Sequence, residues 1–524
     1  MMTNVVSVQG TAATYTTEPQ QFSRRVIEGT PQRLEVLDSQ GVAAVFTVGA
    51  KTVVLRGASR RFTEQKRPFT DSFARTLANG WGPSPGGGVW SNANGSDSLY
   101  SVSNGVGSIL LDATNVSRHV SVRDSGIGDC DVSVKATIDK TPVTAGVSCA
   151  VSFAYQDTNN HYRARLLFSS ASGNVQLSLE REVDNAVTVL GPAVTLGSGF
   201  QPHDWWNIRV QKKGNALSCR AWKDGTAEPS TWTHTTTDAT FATGRVGVRA
   251  IASSGNSALP INAKFADFKL RSGQWATPPT VVHSTWVRLL DQPFDGSWSE
   301  ALAQRVRSWL VDQTPDVLAY AWMFVTGAAT VTDPLLSGKR IFGQADYGPL
   351  ATDGTRYEGS DWNDFIGTSW TYRTGEARTF PHGNVTSPGG LDCSGYVRMV
   401  FGRCLGIPLV YKEGLDGISL PRTTRDMAPN GPGVVVISSA GAPPASLSDL
   451  QIGDVLFFDA DESDPTEGQI DHCGIYVGTD ANGEMRFVSS RKTANGPTFS
   501  DLGGPSVING TSNYSTRLRT VRRF

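Results

Sequence analysis

A long run of short, turn-punctuated strands between residues 68 and 272 is the strongest constraint on the fold of this 524-residue chain. Segments rich in β-branched and aromatic residues recur there between Gly, Asn, Asp and Ser turns, and no stretch has the period of an amphipathic helix. The predicted strands cover residues 132–138, 148–155, 161–168, 175–180, 206–211, 217–222, 244–250 and 263–270. Regular strands without helices predict an antiparallel β-sandwich.

A second informative segment is 392–396, which reads Asp-Cys-Ser-Gly-Tyr and precedes apolar residues at helical spacing. Gly406 and Pro408 end that spacing, so Cys393 is predicted in the first turn of an amphipathic helix. Unpaired backbone N–H groups and the helix dipole stabilise a thiolate at that place. We therefore predict an activated cysteine, although a cysteine on an apolar helix is more often a buried hydrophobe.

Two histidines beyond residue 300, His382 and His472, compete for the role of proton acceptor. His472 opens a strand candidate, His-Cys-Gly-Ile-Tyr-Val-Gly, which follows another strand candidate at residues 453–459. His382 lies in a loop without a regular neighbour. Because a strand holds a side chain more firmly than a loop does, His472 is the predicted general base.

Three motifs in this order, residues 391–396, 452–458 and 472–478, resemble the NlpC-type cysteine peptidases, papain-like enzymes that cut the stem peptides of bacterial cell walls. The chain departs from the family pattern at Ile452, commonly proline, and at Cys473, commonly valine. The resemblance covers about a third of the chain. It implies a multidomain fold class, in which an antiparallel β-sandwich (jelly roll) precedes an α+β papain-like catalytic domain.

Acyl transfer through a thioester is the chemistry that the resemblance implies. Cys393 would attack the amide carbon, and His472 would take the thiol proton and return it to the leaving amine. A polar residue on the following strand would orient the imidazole. The position of that residue falls on Ser489, with Ser490 as the weaker alternative, although a hydroxyl accepts a hydrogen bond more weakly than a carboxylate does.

Four further residues take substrate-binding roles by the same resemblance. Asp392 and Ser394 are expected to bind a substrate amino group, with the alternative that Asp392 serves only as the helix N-cap. Residues 367–372 resemble an aromatic segment that lines the site beside the cysteine, with Trp370 at the usual tyrosine position and Tyr372 nearby. No metal or cofactor is expected, because no Cys-x-x-Cys or His-x-x-x-His spacing occurs.

The other cysteines are expected to be structural. Cys404 lies too far along the helix to bridge to Cys393, and Cys473 alternates to the strand face opposite His472, so both are predicted core residues. Six cysteines without regular spacing predict no disulfide framework. The catalytic thiol has to stay reduced.

Changes of sequence period predict the domain organisation. The predicted segments are a small β element at 1–65, the sandwich at 66–275, a strand and helical connecting segment at 276–345, and the catalytic domain at 346–524. Helical spacing occurs at 299–310 and 316–324. Residues 279–295 are expected to pair with the strands of 33–56, which would make the sandwich an insertion into an N-terminal unit.

Residues 157–166 and 205–210 resemble concanavalin-like and laminin-G-like jelly rolls, many of which bind glycans. Aromatic faces stack on sugar rings when they are exposed, and the candidates are Trp81, Trp90, Trp205 and Trp232. Tryptophans of a sandwich are more often core residues, and Asp157 and Asn159 either hold calcium or form a turn. The sequence leaves both pairs of alternatives open.

Composition gives no support for binding to nucleic acid, because 47 basic and 48 acidic side chains give a net charge of -1. No run is long enough to span a membrane, and residues 1–10 lack the basic and apolar regions of a secretory signal. We expect action in the cell envelope or outside the cell, reached by lysis, specialised secretion or a phage or injection particle. The expected partners are peptidoglycan stem peptides and wall or surface glycans.

Three functions are compatible with these residues. The first is a peptidase acting on peptidoglycan stem peptides. The second is a glycan-binding structural component of a phage tail or injection particle with a secondary hydrolase, and the third is an acyltransferase or amidase on the same fold. The acidic loop at 459–471 either favours an amine-bearing substrate or is a solvated surface loop.

Overall fold

The computed structural model describes residues 21–524 apart from 65–68, 85–87, 123–126, 273–278, 353–354, 413, 440, 462–465, 467 and 502–503. Residues 1–20, which include the segment predicted to lack a secretory signal, lie outside the described residues. The chain divides into two compact units. One contains residues 1–65, 278–349 and 356–524, and the other contains residues 66–277 and 350–355.

Strands dominate both units. Strands β1 to β4 are Ser23–Ile27, Arg33–Asp38, Gly41–Thr47 and Thr52–Phe62. Strands β5 to β19 are Phe69–Asp71, Trp90–Ala93, Tyr100–Ser103, Val106–Leu111, Arg118–Val122, Cys130–Ile138, Val147–Asp157, Asn160–Phe168, Val175–Val183, Ala186–Gly197, Trp206–Lys213, Ala216–Lys223, His234–Thr237, Arg245–Ala252 and Ile261–Ser272. Strands β20 to β30 are Val281–Leu289, Val331–Asp333, Lys339–Phe342, Trp370–Thr371, Ala377–Arg378, Val434–Ser438, Val455–Phe458, His472–Thr479, Met485–Arg491, Gly496–Thr498 and Leu518–Arg523.

Helices occur mainly in the first of these units. Helices α1 to α6 are Glu300–Val311, Val317–Trp322, Trp362–Ile366, Cys393–Val397, Thr424–Asn430 and Asn513–Arg517. A π-helical segment, Arg398–Cys404, continues α4, and 3-10 turns cover Asp97–Leu99 and Pro334–Leu336. None of the helices in the described ranges has the length and apolar character needed to cross a membrane.

Two antiparallel sheets form the unit of residues 66–277. One has the order β17-β16-β15-β10-β19-β8-β7, with β5 paired to β19, and the other has the order β14-β13-β12-β11-β18-β9-β6. Apolar side chains that alternate along the strands are buried and form the core, among them Val134, Ile208, Leu166 and Val248. Every strand predicted between residues 132 and 270 is present, which confirms the antiparallel β-sandwich.

Two of the four candidate tryptophans belong to the core of this sandwich. Trp81 and Trp90 are 0% and 3% exposed and pack edge to face at 5.3 Å between ring centroids. Trp205 and Trp232 are half-buried, and the Arg220 guanidinium lies 4.3 Å from the ring centre of Trp232. An exposed sugar-stacking role is therefore wrong for Trp81 and Trp90, because these large rings fill the interior.

Asp157 and Asn159 form the turn between β11 and β12. The Asn159 N–H donates to Asp157 Oδ1 at 2.8 Å, and the side chain of Asn160 donates to the same carboxylate at 3.0 Å. These are the hydrogen bonds of an Asx-type turn. Of the two alternatives for this pair, the structure supports the turn.

Strands β1 to β4 and β20 form a five-stranded antiparallel sheet of the other unit. In the register of β4 and β20, Phe62 lies opposite Val281 and Val54 lies opposite Val287. This confirms the expected pairing of residues 279–295 with the strands of 33–56. Because the chain leaves the sheet after β4 and returns at β20, strands β5 to β19 lie between two adjacent strands as an insertion.

Helices α1 and α2 follow β20 where the apolar spacing predicts them. Ser299 caps α1 by accepting from the Leu302 N–H, and Asp316 caps α2 by accepting from the Ala319 N–H. The Asp316 carboxylate also accepts from Arg60 at 2.7 and 2.8 Å in a buried ion pair. The same aspartate thus starts the helix and ties it to β4.

One apolar cluster contains described residues from all three of the segments 1–65, 276–345 and 346–524, which the sequence divided. Phe62 and Val287 from the five-stranded sheet and Trp322 from α2 pack in one cluster with Tyr396 and Phe524. A sheet needs a partner layer to bury its apolar face, and here the helices and the C-terminal sheet provide it. These segments therefore fold as one unit.

A six-stranded antiparallel sheet, ordered β25-β30-β26-β27-β28-β29, carries the candidate site. Helix α4 packs against β27 and β28. The helix begins at Cys393 as predicted, but from Arg398 its backbone hydrogen bonds are π-helical. Helices packed on an antiparallel sheet confirm the predicted α+β architecture.

Candidate active site

Cys393 is the first residue of α4. Asp392 caps the helix, since its Oδ1 accepts from the Gly395 N–H at 2.8 Å. The backbone N–H of Cys393 therefore lies in the first turn, where no acceptor within the helix is available to it. The residue is 7% exposed, and its thiol donates to the Asp471 carbonyl oxygen at 3.7 Å. The position predicted for the thiol is confirmed.

His472 opens β27 and contacts Cys393. Its imidazole hydrogen-bonds to the Cys393 thiol, and its ring packs against Phe458 and Tyr514 at 6.0 and 5.4 Å between centroids. The Nε2 atom of His472 is buried and has no hydrogen-bond partner among the residues described. The structure thus joins the predicted thiol to the predicted imidazole and leaves one ring nitrogen unpaired.

The surroundings of the Cys393 thiol favour its ionised form. Hydrogen bonds with Cys473 and with His472, together with the electrostatic interaction with His472, lower the pKa of Cys393 to about 6, against the opposing effects of burial and Asp392. Burial raises the pKa of Cys404, in the same helical segment, to about 12. The thiol at the helix start is therefore the reactive one of the two.

Alkylation of Cys393 is expected to titrate near pH 6 instead of the usual value of 9.0 for a thiol. Because the pKa is lowered, the thiolate predominates at neutral pH and is lost as the pH falls through about 6. Iodoacetamide incorporation, followed by peptide mass spectrometry as the pH is varied, measures the midpoint. Cys404 in the same digest is the control, and its rate should still be rising at alkaline pH. A midpoint near pH 9 for the alkylation of Cys393 would contradict the lowered pKa of this thiol.

Ser489 does not contact His472. In the register of β27 and β28, Ile475 lies opposite Val488, which places Arg491 opposite His472 and Ser489 opposite Gly474. The hydroxyl of Ser489 is buried, with no hydrogen-bond partner in the described part of the chain, and Ser490 donates to the Leu391 carbonyl. The predicted orienting contact is therefore absent, because the serine lies two residues along the strand from the imidazole.

Replacing Ser489 by alanine is expected to change the rate of substrate hydrolysis by less than about threefold, because the removed hydroxyl makes no hydrogen bond that turnover needs. Comparison of kcat for Ser489→Ala and the wild type measures this. A loss of about 100-fold or more would show that Ser489 reaches the imidazole during turnover, as the sequence predicts.

Asp392 and Ser394 have partners inside the protein. Arg422 donates to both carboxylate oxygens of Asp392 and to Ser394 Oγ at 2.6 Å. The Gly359 and Gly395 N–H groups donate to the same carboxylate at 3.0 and 2.8 Å. The N-cap role of Asp392 is thus present in the structure, whereas a substrate amino group would have to displace Arg422.

A cavity of about 780 Å³ lies beside His472. Its wall carries both acidic and basic side chains, and the lining residues are Tyr347, Glu358, Thr423, Thr424, Arg425, Asp426, Ala460, Asp461, Ile470, Asp471, His472, Arg491, Lys492, Thr493 and Tyr514. The loop at 459–471 therefore contributes to the cavity, although its residues 462–465 and 467 lie outside the described residues. A volume of this size accommodates a small peptide.

Trp370 and Tyr372 have their contacts in other parts of the fold, and their substrate-binding role stays a prediction. Trp370 is 47% exposed in the two-stranded pair of β23 and β24. The Tyr372 hydroxyl donates to Asp361 at 3.0 Å and accepts from Arg398 at 2.9 Å. Neither ring is among the described residues that line the cavity. The buried pair of Asp361 and Arg398 holds the Tyr372 hydroxyl, and Trp370 lies in the antiparallel pair of β23 and β24.

Tyr347 and Tyr514 both line the cavity and both interact electrostatically with Cys393. Burial, followed by the negative charges of Cys393 and Asp392, raises the pKa of the Tyr347 hydroxyl well above its usual value, so the group stays protonated as a donor. Its backbone N–H donates to Asn495 Oδ1 at 3.1 Å. The sequence signal for it, Asp-Tyr-Gly-Pro at 346–349, precedes the segment to which the prediction assigned the ring.

His382, the alternative base, pairs with another residue, because its Nε2 lies 2.9 Å from Asp364 Oδ1. Within the described ranges, no group of three or more His, Cys, Asp and Glu side chains is arranged to hold a metal ion. All six cysteines are free thiols.

The C-terminal region of the chain is similar to a known protein family. Residues 372–506 match the NlpC/P60 family. Probable endopeptidases of Mycobacterium tuberculosis and Mycobacterium bovis are 36% identical over 92 residues, which is 18% of this chain and 16% of theirs. The chain thus spans about a sixth of the length of these relatives. The C-terminal region carries an NlpC/P60 domain, which confirms the resemblance that the three motifs predict.

Several solved structures are similar to part of this chain. A carbohydrate-binding module from Bacillus subtilis is 14% identical, covers 34% of this chain and 94% of its own, and gives a TM-score of 0.24. A β-1,3-glucanase from Mycobacterium marinum is 15% identical, with 38% and 97% covered and a TM-score of 0.28. A module of the evolved Dit protein of Lactobacillus casei phage J-1 is 14% identical, with 40% and 98% covered and a TM-score of 0.29.

Proposed function

We propose that the NlpC/P60 domain is a cysteine peptidase that hydrolyses an amide bond in the stem peptides of bacterial peptidoglycan. The observation that carries this proposal is the acidic Cys393 thiol, hydrogen-bonded to His472 beside a cavity of about 780 Å³. The family match and the relatives named as endopeptidases support it. Because stem peptides occur in the cell envelope, we place the action of the enzyme there or outside the cell.

In the first step, the Cys393 thiolate attacks the amide carbon of the substrate. The backbone N–H of Cys393 and the protonated hydroxyl of Tyr347 donate to the oxygen that becomes negative in the tetrahedral intermediate. His472 gives a proton to the leaving nitrogen as the carbon–nitrogen bond breaks. A thioester of Cys393 and a free amine result.

In the second step, water replaces the amine. His472 takes a proton from the water molecule, whose oxygen attacks the thioester carbon, and the carbon–sulfur bond breaks to release a carboxylate. The rings of Phe458 and Tyr514 hold the imidazole in place, whereas Ser489 has the orienting role only if one of the two side chains moves.

Incubation of the purified chain with muropeptides tests this function. The expected result is a new primary amine and two fragments whose masses sum to that of the substrate plus water. Cys393→Ala, purified in the same way, should release neither. The proposal is overturned if the wild type leaves every stem-peptide bond intact.

We further propose that the sandwich holds the enzyme on wall glycan through one face of the seven-stranded sheet. Polar side chains cover the strand face that alternates with the core, and three of them have buried atoms without a partner among the described residues: His119 Nδ1, Ser152 Oγ and Arg249 Nε. Arg249 lies opposite His119 in the register of β18 and β9. Donors of this kind match the hydroxyl groups of a sugar chain. The three side chains are 1%, 1% and 6% exposed, so a sugar reaches them only when neighbouring side chains move.

Arg249→Ala is expected to weaken binding of the chain to glycan strands by about tenfold, since a hydrogen bond from a charged donor is lost. The probe is purified peptidoglycan glycan freed of stem peptides, so that the peptidase site has no substrate. Lys269→Ala, at an exposed position of the other sheet, is the matched control and should bind like the wild type. Equal binding by both variants contradicts this location of the site.

A further inference from the structure

A second thiol lies beside the proposed nucleophile. Cys473 follows His472 in β27 and is fully buried in the core that also contains Cys393, Val397 and Ile475. Each of these two thiols shifts the pKa of the other, and both are free. One buried cluster therefore contains two free thiols, and the hydrolytic mechanism uses only one of them.

Contacts on both sides hold the backbone around this pair. The Cys393 thiol donates to the carbonyl of Asp471 at 3.7 Å, and Cys473 lies two residues further along the chain. On the neighbouring strand, Ser490 donates to the carbonyl of Leu391, just before the cap of α4. The start of α4 is thereby fixed against the start of β27. A disulfide of about 2.05 Å between the two sulfur atoms requires both side chains to rotate towards each other.

The two thiols differ in reactivity in the way that disulfide formation needs. Cys393, with a pKa of about 6, is a thiolate at neutral pH, and the thiolate is the form that peroxides oxidise. Burial, followed by the hydrogen bond and charge of Cys393, raises the pKa of Cys473 well above its usual value. Cys393 is thus the site of first oxidation, and Cys473 is placed to attack the oxidised sulfur.

We propose that Cys393 and Cys473 form a reversible disulfide that switches the active site off under oxidising conditions. The Cys393 sulfur attacks hydrogen peroxide, so a sulfur–oxygen bond forms, the oxygen–oxygen bond breaks, and the released hydroxide takes up a proton as water. The Cys473 sulfur then attacks the Cys393 sulfur, and its own proton leaves with the displaced hydroxide as a second water. The two thiols lose two electrons to the peroxide.

This disulfide removes the nucleophile without destroying it. A sulfenic acid left alone at Cys393 would oxidise further to the sulfinic acid, which dithiols do not reverse. Reaction of Cys473 with the sulfenic acid prevents this further oxidation, and a dithiol reductant then restores both thiols. The loss of peptidase activity rests on the proposed function, whereas the formation of the bond does not.

Peptide mapping of the peroxide-treated full chain tests the bond directly. The expected result is one cross-linked peptide that joins Cys393 to Cys473, with a mass lower by two hydrogens, which dithiothreitol separates. Cys404→Ala is the matched control, because it removes the nearby half-buried thiol and should still give the cross-link. Absence of the cross-link from the wild type, or a link from Cys393 to a different cysteine, overturns the proposal.

Cys473→Val adds a second readout, since valine is the residue that the family pattern favours there. Peroxide should convert Cys393 of this variant to the sulfinic acid, and dithiothreitol should then fail to restore free Cys393, whereas the wild type recovers. Equal recovery of the two proteins contradicts the switch. If the variant does not fold, the wild-type mapping decides alone. A cross-link in a protein that leaves muropeptides intact would overturn the proposed function and support the disulfide.

Discussion

Replacing Cys393 by alanine is expected to lower the rate of muropeptide hydrolysis by about 10⁴-fold or more, because the thiolate is the group that bonds to the substrate carbon. The lowered pKa of Cys393 means that most of the enzyme carries this nucleophile at neutral pH. Removal of the sulfur leaves the oxyanion donors and the cavity in place, so only a residual rate remains. Initial rates of amine release, at equal concentrations of folded protein, measure the loss.

Two further variants show whether that loss belongs to the site. Cys404→Ala removes a thiol of the same helical segment whose pKa burial raises to about 12, and its rate should match the wild type. His472→Ala should lose about 10²- to 10⁴-fold, since it removes the proton carrier and retains the thiol. Hydrolysis by Cys393→Ala within tenfold of the wild type would contradict the assignment of the nucleophile.

The largest expected effect on stability comes from Arg398. Its guanidinium is fully buried. It donates hydrogen bonds to the Asp361 carboxylate, at 3.0 Å, and to the Val410 and Leu420 carbonyls. Arg398→Met leaves Asp361 ionised in the interior, with Arg422 at 3.8 Å as its remaining cation. The free energy of unfolding should fall by about 3 to 5 kcal/mol, as for other buried pairs that lose one partner.

Denaturant unfolding of Arg398→Met and the wild type measures this difference. Arg373→Met is the matched control, because Arg373 pairs with Asp416 while half exposed, and its loss should cost less than about 1 kcal/mol. Burial raises the pKa of Asp361, but Arg398 and Arg422 outweigh it and lower the value to about 2. Since the folded pKa lies below the usual 3.8, the contribution of the pair is present above that pH and is lost as the pH falls towards 2. Equal stability of the two arginine variants would contradict this account.

The central strands of the sandwich could be predicted from sequence because their burial imposes regular alternation. Some of the strands that the prediction missed lie at edges or are short, whereas β8 and β9 are interior strands of six and five residues. Strand β14 is at the edge of its sheet and contains Gly191 and Pro192, which break a strand pattern in sequence but are tolerated where one side lacks a partner. Strands β5 to β7 and β17 have only three or four residues.

The site could be predicted where its residues lie in local motifs. Cys393 follows from a cap and a helix, and His472 follows from a strand. The approach of Tyr347 and the pairing of Arg422 with Asp392 depend on loops folding back from distant positions, which leave no periodic signal.

The position of Cys473 beside Cys393 could not be predicted from the sequence either. Alternation along β27 correctly predicts that its side chain is buried and leaves the strand on the face opposite His472. Cys393, however, lies beside the first residues of the strand, where its sulfur is 3.7 Å from the Asp471 carbonyl oxygen and both Cys473 and His472 lower its pKa. A rule for faces of a strand does not cover contacts at the end of the strand.

Digestion of muropeptides in ¹⁸O-labelled water tests the central claim most directly. Hydrolysis through a thioester of Cys393 predicts a fragment whose new carboxylate carries one ¹⁸O atom, a second fragment with a new amine, and neither product with Cys393→Ala. Acyl transfer would instead join the acyl fragment to another amine without the label. The account is contradicted if the label is absent from the new end, or if the alanine variant forms the same products at the same rate.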